Sequence, residues 1–327
     1  DEACVHQESA LSNMEVGAQF LKREFGEGGR LNIGWHIDPF GHASTTPRIM
    51  AEMGFDAFFF WRTHYQHAKD MGKKKTYENV WENSPSLGNK TRMFTSILYD
   101  SYCMGCGSGF NMVCPSRFES LDCMVQGNAK WTWAKDHPLY MQFAADAARK
   151  KEVTQRRHFK QQSKTPEYII ELAQQYVTIV RNYAVGFRHG KALLPWGCDF
   201  DHQNAVEDFN LMDQVMAYIQ DNYATYGIDI FYSSPQRYVK AVRAMDYTWP
   251  INSDDYFVYA DGVDAYWSGY LSSRAEYKGF ERFLMNERTS SDITLSSVPP
   301  TAVDLATSLA QAEVMREALG VAQHHDS

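Results

Sequence analysis

Apolar residues recur every three or four positions in several stretches of the chain, which is the spacing of amphipathic helices. The first predicted helix opens at a capping box, Ser12-Asn13-Met14-Glu15, and ends near Phe25, before Gly26. Further helices are predicted over residues 46–54, 165–185 and 206–223, and from residue 234 onward. Three of these begin with a hydroxyl residue followed by proline. The hydroxyl oxygen can cap the helix, and the proline ring fixes a backbone angle that suits the first turn.

Runs rich in β-branched and aromatic residues alternate with these helices and predict strands. They cover residues 31–37, 55–61, 191–196 and 228–232. Strands that alternate with helices are typical of a largely parallel sheet. Between them, the stretch 84–130 is rich in Gly, Ser and Cys and predicts a long loop or a small subdomain.

The pattern changes at about residue 267, after which it predicts helices only. These helices cover residues 271–286 and 302–322. We therefore expect two domains: an α/β unit over residues 1–266 and the beginning of a helical bundle over residues 267–327.

Composition narrows the class of protein. The 327 residues are 44% hydrophobic and 22% charged, which predicts a packed core and argues against disorder. A net charge of −8 argues against a nucleic-acid partner, because binding to phosphates needs a basic surface. The sequence has no apolar run of membrane-spanning length, so no membrane association is expected.

Four of the six cysteines fall between residues 103 and 123. Cys103 and Cys106 have the spacing of half a zinc knuckle, but Cys114 and Cys123 do not form a second close pair. Disulfides are therefore favoured over zinc for this cluster. The sequon at Asn89 agrees with the secretory route that disulfides imply.

Polar side chains follow three of the predicted strands. Asp38 follows the first, Arg62 the second, and Asp199 the third. Sites in parallel α/β folds lie at the carboxyl ends of the strands, and two carboxylates beside a cation are what a glycosidase needs. An aspartate after a strand is also a common helix cap, so each residue alone leaves both interpretations open.

Two histidine motifs suggest a metal. His36 and Asp38 share one face of a strand and could bind one ion, although a hydrogen-bonded core histidine explains His36 equally well. His324 and His325 end a predicted helix before Asp326. Neighbouring helical residues point in different directions, so at most one of the two is expected to be a ligand, and a solvated helix end is the alternative.

Taken together, four segments resemble glycoside hydrolase family 38, the class II α-mannosidases. They are the nucleophile segment at 35–42, the acid/base segment at 197–200, the junction segment at 259–274, and the histidine turn at 323–326. They occur in the family's order along nearly the whole chain. The aromatic run at 54–60 is similar to the corresponding segment in the lysosomal branch of the family.

The resemblance implies a role for each matching residue. Asp38 would be the nucleophile and a zinc ligand, Asp199 the general acid/base, and His325 a second zinc ligand, while His36 would not bind the metal. The residues implied in substrate binding are Phe40, Arg62, Tyr102, Trp267 and Asp326.

The implied fold is a seven-stranded, mostly parallel α/β barrel followed by a three-helix bundle and β domains. We expect residues 1–327 to be an internal segment. The barrel's first strand, with a His-x-Asp zinc pair, would then lie upstream, and the isolated segment would bind zinc weakly and hydrolyse little.

The implied activity is retaining, zinc-assisted removal of terminal α-linked mannose from N-linked glycans, in the lysosome or secretory pathway. The expected partner is a mannose-containing oligosaccharide, and a homodimer is left open. The alternatives are a metal-dependent carbohydrate deacetylase and a glycan-binding segment without activity.

Overall fold

The computed structural model describes residues 3–99, 102, 165–196, 205–299, 301 and 304–327. These residues form a five-stranded sheet with the strand order β1-β2-β4-β3-β5. Its strands are β1 (Ile33–His36), β2 (Ala57–Phe60), β3 (Glu78–Trp81), β4 (Met93–Ile97) and β5 (Ile251–Asn252).

Most of the sheet is parallel. β1 runs parallel to β2 and β2 to β4, whereas β3 is antiparallel to β4, and β5 is parallel to β3. The mixed α/β class with a mostly parallel sheet is confirmed. The described strands form an open sheet, so the seven-stranded barrel stays a prediction.

Helices flank the sheet and continue beyond it. They are α1 (Gln7–Phe25), α2 (Thr45–Glu52), α3 (Tyr65–Lys74), α4 (Pro166–Val185), α5 (Ala205–Asp221), α6 (Tyr223–Tyr226), α7 (Pro235–Arg243), α8 (Ala275–Ser297) and α9 (Leu305–Ala322). Short 3₁₀ helices occupy Gly26–Gly29, Gly88–Thr91 and Ser268–Leu271. None of the described helices is long and apolar enough to cross a membrane.

Side-chain caps start some of the helices, but the predicted cap at Thr46 is wrong, because α2 begins at Thr45 and its N-cap Ser44 makes no side-chain hydrogen bond. The Thr165 hydroxyl accepts a 3.3 Å bond from the Tyr168 amide at the start of α4, as the sequence predicts. The predicted start at Ser12 is wrong, because His6 Nδ1 accepts the Glu8 amide at 3.2 Å and α1 begins five residues earlier than Ser12. Ser12 instead accepts a hydrogen bond from Arg288 on α8.

Two faces of β2 build two cores. Phe58 and Phe60 point into a cluster that α4 and α5 cover, whereas Ala57 and Phe59 point into a second cluster that α7 covers. All four side chains are fully buried. A strand that is apolar on both faces is typical of the centre of a parallel sheet, and it explains the continuous aromatic run.

Two predicted strands, at 191–196 and 228–232, are wrong, because neither pairs in a ladder with any described strand. Their apolar side chains nevertheless pack on the core: Leu194 and Ile230, for example, contact the cluster around Phe58. An apolar pattern requires burial, but it does not require hydrogen bonding to a neighbouring strand.

β3 and β4 were not predicted. β4 lies inside the stretch 84–130, for which the sequence predicts a long loop or a small subdomain, and all five of its side chains are buried. β3 carries Glu78, which is buried because His189 and Tyr238 each lie 2.7 Å from its carboxylate oxygens. A hydrophobic pattern misses buried polar residues whose partners come from distant segments.

After residue 267 the described chain is helical, as predicted. α8 and α9 pack against each other, and α1 packs against both. α1, from the start of the chain, therefore packs together with the two helices that follow residue 267. The boundary between residues 266 and 267 stays a prediction.

Candidate active site

The sheet register places Asp38 beside Arg62. His36 pairs with Phe60 at the carboxyl ends of the parallel strands β1 and β2, and Asp38 and Arg62 each follow two residues later. Arg62 Nε donates to Asp38 Oδ1 at 2.6 Å, and Arg62 Nη2 donates to the same oxygen. Two strand ends that the sequence singled out thus meet at one edge of the sheet.

His325 holds the other oxygen of Asp38. Its Nε2 lies 2.9 Å from Asp38 Oδ2, although the two residues are 287 positions apart in the chain. Burial acts to raise the pKa of the Asp38 carboxyl, but the hydrogen bond from His325 and the charge and hydrogen bonds of Arg62 outweigh it. The pKa is therefore held below its ordinary value of 3.8. Asp38 is an oriented, ionised carboxylate.

Aromatic rings surround the Arg62 guanidinium. Its Cζ lies 4.8 Å from the Trp61 ring centroid, 4.9 Å from Trp267, 5.3 Å from Phe40 and 5.5 Å from Tyr259. Such faces attract a cation while excluding water from it. Arg62 Nη1 also donates to Tyr259 Oη at 3.1 Å, which leaves the guanidinium little freedom to turn away.

Tyr259 is a residue of this site that the sequence interpretation did not single out. It lies in the segment 259–274 that carries part of the family resemblance, and it is buried. Burial raises the pKa of the Tyr259 phenol above its ordinary value of 10.0, so the phenol keeps its proton while accepting from Arg62.

An apolar wall stands beside Asp38. The ring centroid of Phe40 lies 5.1 Å from Trp267 and from Tyr270, and 5.7 Å from His325. Phe40 is buried, but Trp267 remains 38% exposed, so its ring offers a surface on which the apolar face of a sugar can stack.

The turn after Asp38 requires glycine. Gly41 has φ +110°, and a Cβ there would lie 2.5 Å from the Phe257 ring. A side chain at this position would push the turn away from Phe257, and with it Phe40 and Asp38.

The other predicted site residues lie at different distances from Asp38, Arg62 and His325. The half-buried Tyr102 packs edge-on against Trp61 at 5.6 Å, one ring away from Arg62. Asp326 is mostly exposed, with Oδ2 3.7 Å from His325 Nε2. Asp199 lies outside the described residues, as do Asp201, His202 and every cysteine except the buried, free Cys4.

The histidine turn gathers donors that suit a metal. Potential ligand atoms of His324, His325 and Asp326 all lie within 4.8 Å of one another. α9 ends at Ala322, so the two histidines lie in a turn, and their rings stack at 4.3 Å rather than diverging as they would on a helix. Nitrogen and carboxylate ligands fit zinc, and the adjoining Asp38 Oδ2 adds another oxygen.

His36, by contrast, packs edge-on against the core residue Phe58 at 5.2 Å between ring centroids. Its position agrees with the interpretation as a core histidine.

The chain is similar in sequence to a known family and to several of its members. Residues 1–262 match the family model "Glycosyl hydrolases family 38 N-terminal domain". The lysosomal alpha-mannosidase of Dictyostelium discoideum is 32% identical over 338 aligned residues, covering 100% of this chain and 28% of that protein. The lysosomal alpha-mannosidase of Homo sapiens is 29% identical over 335 residues, covering 100% of this chain and 29% of that protein.

Among solved structures, an alpha-mannosidase from Enterococcus faecalis matches with a TM-score of 0.47 at 17% identity, over 78% of this chain and 21% of that chain. The chain spans less than a third of the length of the curated relatives described above.

Proposed function

Because the chain belongs to glycosyl hydrolase family 38, we propose that it carries the catalytic centre of a retaining α-mannosidase. The proposed substrate is terminal α-linked mannose on N-linked glycans. The observation that supports this most directly is the Asp38 carboxylate, whose two oxygens are held by Arg62 and His325 beside the exposed Trp267 ring.

In the first step, an Asp38 oxygen forms a bond to the anomeric carbon while the glycosidic carbon–oxygen bond breaks. Asp199, proposed as the general acid, gives its proton to the leaving oxygen. Arg62 keeps Asp38 ionised and aimed, so little reorganisation is needed when the bond forms.

In the second step, water attacks the mannosyl ester on Asp38. Asp199, now a carboxylate, takes a proton from that water, and Asp38 leaves as a free carboxylate. The mannose product keeps its anomeric configuration because two displacements have occurred at the same carbon.

Substrate positioning is proposed to come from the aromatic wall and the histidine turn. Phe40 and Trp267 would contact the apolar face of mannose, and Asp326 and Tyr102 would lie at its rim. Asp38 and His325 would hold zinc, with His324 and Asp326 within reach. Bound zinc would contribute positive charge at the mannose hydroxyls.

We also propose a lysosomal or secretory location. The relatives from Dictyostelium and Homo sapiens are named lysosomal. Asn89 lies exposed in a 3₁₀ helix, so its side chain has room for a glycan. Mass spectrometry of the natural protein should find a glycan at Asn89 and a disulfide among Cys103, Cys106, Cys114 and Cys123. A bare Asn89 together with four free thiols would contradict the proposal.

The activity is tested by trapping the covalent intermediate. A fluorinated mannosyl inactivator, incubated with the full-length enzyme, should label the peptide that contains Asp38. An Asp38→Asn variant is the control and should take up no label. Labelling of Asp199 or Asp201 would refute the assignment. No label, together with release of acetate from an acetylated sugar, would instead favour the carbohydrate deacetylase.

A further inference from the structure

One segment of the chain, residues 255–260, holds both the residues that follow β1 and those that follow β2. On the β1 side, His42 and Tyr256 form an antiparallel bridge, with N···O distances of 3.2 and 2.9 Å. On the β2 side, the Tyr65 amide donates to the Ala260 carbonyl oxygen at 2.9 Å. The segment therefore connects the two strand ends that carry the candidate site.

The segment 255–260 is itself anchored to the sheet. It follows β5, which pairs with β3, and the Asn252 carbonyl oxygen on β5 accepts the Glu82 amide at 2.8 Å. Asn79 on β3 donates to the hydroxyl of the buried Tyr256 at 3.1 Å. Close-packed parts of a protein yield little, so a residue that this segment holds keeps its position relative to the sheet.

The turn that follows β1 contacts this segment at three points. Gly41 packs so closely on Phe257 that a Cβ there would lie 2.5 Å from the ring. His42 forms the bridge described above. Asp255 Oδ1 accepts the Ser44 amide at 2.5 Å. The first two contacts use an apolar ring and the backbone, whereas the third depends on a single carboxylate.

Asp255 supplies an interaction that the start of α2 lacks. Ser44 is the N-cap of α2, but its side chain makes no capping hydrogen bond. A carboxylate that accepts the N-cap amide is one half of a capping box, and negative charge is favourable at a helix N-terminus. Here the carboxylate comes from a residue 211 positions away. Asp255 therefore ties the start of α2, and with it the end of the turn that carries Asp38, to the segment 255–260.

The same segment holds Arg62. The Tyr259 hydroxyl accepts from Arg62 Nη1 at 3.1 Å, and Arg62 Nε donates to Asp38 Oδ1 at 2.6 Å. Asp38 and its arginine therefore depend on one support. Misplacing a reacting group by about 1 Å can slow a reaction about 10²-fold, so a loose turn would affect the rate of bond formation.

We propose that Asp255 is a positioning residue for the Asp38 nucleophile. Its bond to the Ser44 amide couples the turn that carries Asp38 to the segment that holds Arg62. Asp255 acts through the backbone of the turn and not by contact with the substrate. The inference rests on the proposed mannosidase function for the role of Asp38, whereas the hold on the turn can be measured separately.

The test measures how fast a fluorinated mannosyl inactivator labels Asp38 in the full-length enzyme. Asp255→Ala should lower the maximal labelling rate about 10-fold and leave the half-saturating concentration unchanged, because bond formation is impaired and sugar binding is not. Asp255→Asn keeps an oxygen that can accept the Ser44 amide, and it should recover most of the rate. Asp254→Ala removes the neighbouring exposed carboxylate and is the matched control, which should react like wild type.

An unchanged rate in Asp255→Ala, an equal loss in Asp254→Ala, or no recovery in Asp255→Asn would overturn the inference. If the wild-type enzyme took up no label at Asp38, the mannosidase proposal would fail, and hydrogen exchange of the peptide 38–46 would still test the hold on the turn. Faster exchange in Asp255→Ala than in Asp254→Ala supports that hold, and equal exchange refutes it.

Discussion

Two segments, 33–38 and 191–196, place side chains in both cores, but only the first belongs to the sheet. Ile33 and Ile37 pack on the cluster around Phe59, while His36 contacts Phe58 on the other face. In the second segment, Leu193 packs on the Phe59 cluster, and Ala192, Leu194 and Trp196 pack on the other. β1 pairs with β2 over four residues, whereas 191–196 pairs with no described strand.

The difference shows what a ladder adds to burial. Pairing in register with β2 fixes both the position and the direction of the chain beyond His36, so Asp38 emerges directly beside Arg62. Side-chain packing alone attaches a segment to the core, but it does not determine which residues lie next to the chain that follows the segment. The two predicted catalytic aspartates, Asp38 and Asp199, follow one segment of each kind.

The largest expected effect contrasts these two aspartates. Asp38→Asn should lower kcat by more than about 10³-fold on every mannoside, since a nucleophile is needed whatever the leaving group. Asp199→Ala should spare substrates whose leaving group needs no proton, and it should slow natural glycans by at least about 10²-fold more. Steady-state kinetics on the full-length enzyme with an activated and a natural substrate measure both. An equal loss on both substrates for Asp199→Ala would assign that residue a structural role only.

The second effect tests the packing that the two segments share. Phe59→Ala at the fully buried centre of β2 should reduce the free energy of unfolding by about 3–5 kcal/mol. Trp196 is half-buried and stacks on Tyr176 with the ring centroids 5.0 Å apart. Trp196→Ala should therefore cost less, about 1–3 kcal/mol. Denaturant unfolding measures both, and no change in Trp196→Ala would show that the segment 191–196 is not anchored to the core.

The third effect tests how firmly Tyr259 holds the Arg62 guanidinium, which follows the end of β2. Tyr259→Phe removes the oxygen that accepts from Arg62 Nη1, and kcat/KM should fall about 10-fold as the guanidinium gains freedom to turn. The melting temperature should change little. Tyr232→Phe is the matched control, because its hydroxyl donates to Asp213 at 2.8 Å on the surface, and it should keep full activity. A comparable loss of kcat/KM in both variants would show that Tyr259 has no specific role in the site.

The smallest expected effect concerns pH and α3. His67 stacks on Tyr256 at 5.4 Å, and burial holds the pKa of its imidazole below its ordinary value of 6.5. The unfolded chain therefore binds this proton more readily, so stability falls as the pH drops below 6.5. His67→Gln should match wild type at pH 7.5 and lose less melting temperature between pH 7 and pH 5. Parallel curves for the two proteins would exclude His67 as a source of acid sensitivity.

Much of this architecture follows from local sequence. The hydroxyl–proline pairs at Thr165 and Ser234 mark helix starts, because the capping oxygen and the proline ring act on adjacent backbone. The aromatic run at 55–61 predicts a strand, and the polar residues after this strand and the one before it predict the edge where a site forms. The glycosidase resemblance also follows from sequence. A match of segments such as 35–42 and 323–326 depends only on their residue types and their order along the chain, and not on how close they lie in space.

Only the tertiary structure decided which distant residues meet. Asp38 reaches His325 across 287 positions, Arg62 reaches Tyr259 across 197, and Glu78 becomes a buried strand residue because His189 and Tyr238 supply its partners. The physical reason is that local sequence fixes backbone preference and burial, which act over a few residues. Contacts between remote side chains depend on strand register and on where helices such as α9 end, and these are settled by the packing of the whole chain.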